Sequence, residues 1–312
     1  MWRRRRVLVG IMLIPYSVTQ GYSTLLTRLS DTALVELDRL MRSLSGESPA
    51  VQREALMDLL PELGGQYESA VGEVSAQFSA ELMEMQEVRR PVAPVVPELS
   101  PAKSWHALAG WGARGSVFEQ GGMLLAYSLC SGGLTKRLTE FAADTMIGNA
   151  SLQSEPMRAQ RVPSPGCCAF CGMLASRGAV YSSESAGVVG GRGVPVGQGR
   201  GRGSFGRGRG VKARGSQAIG ESYHDHCRCR VVVVTEQNEA QLQADADKYY
   251  DAYRAAADRV NGGYERRVTT KKLADGRLKN TYEWIDAKGR SRSANERTAD
   301  IVAAMRSDLE IK

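Results

Sequence analysis

Two stretches decide how this chain is read: Arg161–Tyr181, RVPSPGCCAFCGMLASRGAVY, and Tyr223–Cys229, YHDHCRC. Five of the six cysteines fall in them. The first holds Cys167, Cys168 and Cys171; the second holds His224, His226, Cys227 and Cys229. A Cys-x-x-Cys sets two sulfurs on a tight turn that can grip one ion. A His-x-x-Cys-x-Cys offers an imidazole and two more sulfurs. Together they supply the soft donors of a tetrahedral zinc site. The most economical set is Cys168, Cys171, Cys227 and Cys229, with His224 or His226 able to replace a thiolate and Cys167 spare. Two other readings stay open. Disulfides need an oxidising compartment. A thioredoxin-like pair needs a preceding strand, whereas Pro163, Pro165 and Gly166 precede this one. A catalytic metal would need an open ligand position and a carboxylate base, for which Glu221 and Asp225 are the nearby candidates.

Between the two clusters, residues 187–215 hold twelve glycines, six arginines, one lysine and no acid. Glycine at this density cannot build a packed core. The tract is either a solvated insertion or a sequence-blind phosphate contact, with Arg200, Arg202, Arg207 and Arg209 as the cationic residues. Phe205 is its only aromatic residue, so base stacking contributes little. The formal net charge is +7; this tract alone accounts for +7 and Arg3–Arg6 for a further +4, leaving −4 on the rest. The body of the protein is therefore mildly acidic, which excludes a uniformly basic nucleic-acid binder.

Downstream, Val231–Val234 reads as a buried strand. A helix follows through Leu242, Ala246, Tyr249, Tyr253, Ala257 and Val260, ended by Asn261-Gly262-Gly263. Residues 264–286 read as a β-hairpin around Asp275-Gly276, and 294–309 as a last helix. Upstream, residues 102–160 read as helix broken at Gly121-Gly122 and Gly132-Gly133, with Cys130 a small buried residue and His106 an ordinary histidine. Residues 91–101 carry four prolines and read as a linker and domain boundary. Before it, 23–90 reads as three amphipathic helices: one striped by Leu26, Leu29, Ala33, Leu37, Leu40 and Leu44; a short one by Val51, Ala55, Leu59 and Leu63; and, after Gly64-Gly65, one running from Tyr67 to Met85. Residues 1–22 join four arginines to a short apolar stretch, either a secretory signal or a basic N-terminal extension. No run is long enough for a membrane span.

The expected organisation is α+β, mostly α. It consists of an N-terminal extension (1–22), a helical arm (23–90), a Pro-rich linker (91–101) and a C-terminal α+β domain (102–312) with a Cys/His structural knot and the Arg/Gly insertion 187–215. No Gly-x-Ser-x-Gly, Walker-type loop or His-Glu-x-x-His occurs, so the reading leans away from an enzyme.

The two cysteine-bearing stretches resemble the Mu F-like minor head proteins of tailed phages, above all those of actinobacterial phages. Their pattern is Cys-x-x-Cys, an Arg/Gly/Tyr segment, then His-x-x-Cys-x-Cys, here matched by Cys168, Cys171, His224, Cys227 and Cys229. Ala107–Trp111, Gly132–Thr135 and Asp300–Leu309 extend the likeness. The Arg/Gly insertion is longer than in that pattern, and the N-terminal stretch is not part of it. The resemblance implies a virion protein that meets the portal and the major capsid or scaffold protein during assembly in the host cytoplasm. Related proteins are often labelled capsid maturation proteases, which is one alternative. A nucleic-acid binder acting through the Arg/Gly loop is another.

Overall fold

The computed structural model describes residues 16–85, 88, 90–153, 157–164, 167–176, 178, 188–189, 194–195, 211–212, 217–218, 228–235, 238–273, 276, 278–292 and 294–309. The basic stretch at 1–15 lies outside them, as do Arg200, Arg202, Arg207, Arg209, His224, His226 and Cys227. The fold is α+β and mostly α. The helices are α1 (Tyr16–Ser43), α2 (Pro49–Met85), α3 (Ala102–Gly112), α4 (Gly115–Leu152), α5 (Ala169–Ala175), α6 (Glu239–Gly262) and α7 (Ala294–Asp308). The strands are β1 (Ala159–Val162), β2 (Val188–Val189), β3 (Val194–Pro195), β4 (Val211–Lys212), β5 (Gln217–Ala218), β6 (Arg230–Val233), β7 (Tyr264–Lys272), β8 (Leu278–Asp286) and β9 (Ser291–Arg292). They pair as β1–β6, β2–β5, β3–β4 and β7–β8–β9, all antiparallel. Among the described residues, no helix is long and apolar enough to cross a membrane.

The stripe read on α1 packs as expected: Leu26, Ala33 and Leu37 are buried, joined by Tyr22 and Met41. Tyr22 stacks on Phe78 of α2, with ring centroids 4.3 Å apart, and shares a 2.8 Å hydrogen bond with Ser75. Its burial pushes the phenol up to about 12 against the opposing pull of Ser75 and Arg230.

The short second helix does not form. Residues 49–85 make one helix of 37 residues that runs through Pro61 and Gly64-Gly65. Its buried face is also one position on from the expected one: Gln52, Leu56, Leu60 and Gly64 point inward, whereas Val51 and Leu59 are exposed. Gln52 sets this register. Its side-chain amide donates to the Leu44 carbonyl at 2.8 Å, a second bond to the acceptor that Glu47 N–H already uses in the turn after α1. The glycine read as a break is a close approach instead. A Cβ on Gly64 would stand 2.5–2.6 Å from the buried Trp105 ring.

The same correction applies to α4. Gly122 does kink it, at φ 58°. Gly132-Gly133 lies inside the helix, where a Cβ on Gly133 would meet Leu108 at 2.2 Å. Cys130 is fully buried, and burial raises its thiol to about 11. Its sulfur would stand 2.5 Å from a Cβ on Gly112. His106 is exposed.

The Pro-rich segment is strapped to the helices. Val95 gives its N–H to Asn149 Oδ1 (2.8 Å) and its carbonyl to Asn149 Nδ2 (2.9 Å). The Val92 N–H donates to Gln153 Oε1 at 3.1 Å, and the Ser100 N–H to the buried Glu68 carboxylate at 2.9 Å. Extended proline-rich chain has no backbone partners of its own; α2 and α4 supply them here. One hydrophobic core accordingly runs from α1 and α2 through α3 and α4 to β1, α5, β6 and α7.

Two neighbouring glycines should respond in opposite senses. Gly64→Ala drives a methyl into the Trp105 ring and should cost about 1–3 kcal/mol. Gly65→Ala meets nothing within 4 Å and should gain about 0.5–1 kcal/mol of helix stability. Urea denaturation of both variants reads the contrast. Asn149→Ala strands both polar groups of Val95 and should cost about 1–3 kcal/mol, with faster amide exchange at residues 92–100 as the local signature.

Candidate functional site

The β1–β6 ladder aligns Ala159 with Val233 and Val162 with Arg230. The chain therefore leaves β1 toward Cys167 at the same end at which it arrives from Cys229 into β6. Both strands are almost wholly buried. The Ser164 hydroxyl donates to the Arg228 carbonyl, 64 positions away, and clamps this end. The Cys167 N–H then bonds the Ser164 carbonyl at 2.9 Å, turning the chain into α5. Cys168 caps that helix with extended backbone (φ −74°, ψ 160°), and Cys171 lies one turn on and buried. The Cys-x-x-Cys thus spans the N-cap and first turn of α5.

Helix α6 closes the third side. Asn238 locks its start by accepting the Thr235 N–H (2.8 Å) and donating to the Val233 carbonyl (3.0 Å). Buried Gln160 of β1 donates to the Leu242 carbonyl at 2.5 Å. This brings the Tyr249 hydroxyl to 3.8 Å from Cys167 Sγ. Tyr249 is held well above the usual phenol range, chiefly by burial and then by Cys167, Cys229 and Asp245 around it. Cys167 of the first cluster thus meets Tyr249, and Cys229 of the second is near enough to raise its phenol further. A Cβ on Gly172 would meet that ring at 2.8 Å, so α5 lies directly against α6.

Of the expected zinc donors, Cys168, Cys171 and Cys229 are described, whereas Cys227 and His224 are not. Among the described residues alone, no three Cys, His, Asp or Glu side chains gather tightly enough to hold an ion. The donor chemistry still fits a soft metal: a Cys-x-x-Cys turn on one strand exit and Cys229, only 1% exposed, on the other strand's entry.

Beside the cysteines, a cavity of about 620 Å³ opens between α1, the β1–β6 end and α6. Among the described residues, Arg28, Arg228, Arg230 and Lys248 line it, against one carboxylate, Asp245. Arg228 pairs with Asp31 of α1 at 2.6 Å. Buried Arg230 reaches Thr27 of α1 and Thr139 of α4, each at 3.3 Å. These contacts pin the first helix to the second cysteine cluster across more than 190 positions of chain. The surplus of cations suits an anionic group. Sequence reasoning did not single out Tyr249, Ser164, Arg228 or Arg230 as site residues. The alternation Arg228-Cys229-Arg230 beside the valine run was the one available signal.

The insertion is closed by two short pairs, Val188–Val189 with Gln217–Ala218 and Val194–Pro195 with Val211–Lys212.

No curated protein and no solved structure matches the chain significantly. A family model described as VG15 protein matches residues 16–256, from the start of α1 through both cysteine clusters and into α6. That span is more than three-quarters of the chain and takes in every element of the site just described, and the chain belongs to this phage-associated family, the VG15 proteins.

Proposed function

We propose that this chain is a minor head protein of a tailed phage, of the Mu F-like kind, which joins the portal and the major capsid or scaffold protein during head assembly and catalyses no reaction. Its place is the virion, reached from the host cytoplasm. Membership of the phage-associated VG15 family carries the reading. The pattern of Cys168, Cys171, His224, Cys227 and Cys229 adds to it. The burial of Cys171 and Cys229 in the hydrophobic core fits a structural rather than catalytic role.

In this reading one zinc ion is held by Cys168, Cys171, Cys227 and Cys229, with His224 as the substitute donor. A closed four-ligand set leaves no open position for a reacting water. It would staple α5 to the entry of β6, and such sites are worth about 10–16 kcal/mol apparent. The Arg/Gly tract, through Arg200, Arg202, Arg207 and Arg209, is free in this scheme to touch packaged DNA.

Metal analysis of the purified chain should find one zinc per molecule, and a chelator should lower its melting temperature; a metal-free, fully folded chain refutes the zinc assignment. Coexpression with the portal and major capsid proteins encoded beside it should recover the chain in portal-containing particles. Particles that assemble and mature normally without it refute the assembly role. Specific cleavage of the capsid protein that depends on this chain would replace that role with proteolysis.

A further inference from the structure

The C-terminal hairpin carries a feature that neither the cysteine site nor the Arg/Gly tract uses. β7 and β8 pair over nine rungs, from Tyr264↔Asp286 to Lys272↔Leu278, a ribbon about 30 Å long at roughly 3.3 Å per residue. Its root is fixed. The Tyr264 hydroxyl donates to Asp300 of α7 at 2.5 Å, Arg297 lies 4.5 Å over the Trp284 ring, and Arg292 bridges Asp286, Glu296 and Asp300. Beyond Tyr264 every residue of β7 is exposed, and apolar Val268 and Leu278 are 48% and 70% exposed. Beyond the root, where β9 also pairs with β8, only two strands remain; a two-stranded ribbon is marginal in water, so these outer rungs are an expensive structure to keep without an occupant.

Charge says which occupant. From residue 266 to 279 the chain holds Arg266, Arg267, Lys271, Lys272, Arg277 and Lys279 against the single acid Asp275, a local charge of +5. The acids Glu265, Glu283 and Asp286 all lie toward the root. Lys271 and Lys279 share one rung of the ladder. The shape complements the charge: the major groove of B-form DNA, about 12 Å wide, admits a two-stranded antiparallel ribbon.

We infer that the β7–β8 ribbon is a duplex-DNA contact, its distal lysines meeting backbone phosphates while its root stays bolted to α7. The contact is sequence-tolerant, because it rests on phosphate charge and not on base edges. It is independent of the Arg/Gly tract and of the proposed assembly role.

Binding of the full chain to a fluorescently labelled 24-base-pair duplex, followed by anisotropy across a salt series, tests it. The triple substitution Lys271→Gln, Lys272→Gln, Lys279→Gln should lower the slope of log affinity against log salt by about 2–3 and weaken binding roughly tenfold at 0.1 M salt. Circular dichroism should be unchanged, since Lys271 and Lys272 are exposed. A companion chain with Arg200, Arg202, Arg207 and Arg209 changed to Gln separates the two basic segments. A slope that moves only in the companion overturns the inference, as does a wild-type chain that ignores the duplex. Lysines that merely guard an open strand edge give that same unchanged slope. Polyglutamate competing as well as unlabelled duplex overturns the assignment to DNA in favour of an acidic protein surface.

Discussion

The antiparallel pairing of β1 with β6 is the constraint on which this protein rests. It joins Ala159–Val162 to Arg230–Val233, and every other feature of the C-terminal half takes its position from that union. Four rungs are few, but both strands are buried, so their backbone polar groups have no water to fall back on and the pairing is obligatory. Its open end holds the exits to Cys167 and from Cys229. Its other end, through Asn238, Gln160 and the Arg158–Glu239 ion pair of 2.6 Å, aims α6 across the strands. The long glycine-rich insertion is tolerable for the same reason. Lengthening a loop adds loop-closure entropy only logarithmically, so an already buried ladder can carry it.

Around this ladder the helices are held at short range by missing side chains. Gly64 admits the Trp105 ring, Gly112 admits Cys130, Gly133 admits Leu108, and Gly72 admits Val96 and Phe141. The last of these also seats the proline strap against α2. The strap contributes hydrogen bonds to Asn149, Gln153 and Glu68, three buried polar side chains that an apolar helical bundle would otherwise leave unsatisfied. Segments that look like an arm, a tether and a domain thus share one core.

Charge is distributed by function rather than evenly. Arginines near the ladder serve the interior: Arg230 binds two threonine hydroxyls and Arg228 an aspartate of the first helix. Those of the C-terminal unit, Arg292 and Arg297, brace the root of the ribbon. Lys271 and Lys272, farther out on that ribbon, are exposed.

Much of this was legible in the chain itself, because periodicity records burial. The stripe of α1, the buried valines of β6 and the last helix follow from which positions are apolar, and the hairpin at 264–286 from its Asp275-Gly276 turn. The continuity of α2 through Pro61 and Gly64-Gly65 was not legible, nor the inward turn of Gln52 in place of Val51. Each depends on a partner outside the helix itself: the Trp105 ring, or the Leu44 carbonyl in the α1–α2 turn. Local pattern reports how often a residue is buried, not what it is buried against. A glycine that breaks a helix and one that admits a ring are the same letter. Likewise, Tyr249 reads in sequence as one more stripe residue of α6. Only the crossing of α6 over the β1–β6 end brings its hydroxyl to Cys167.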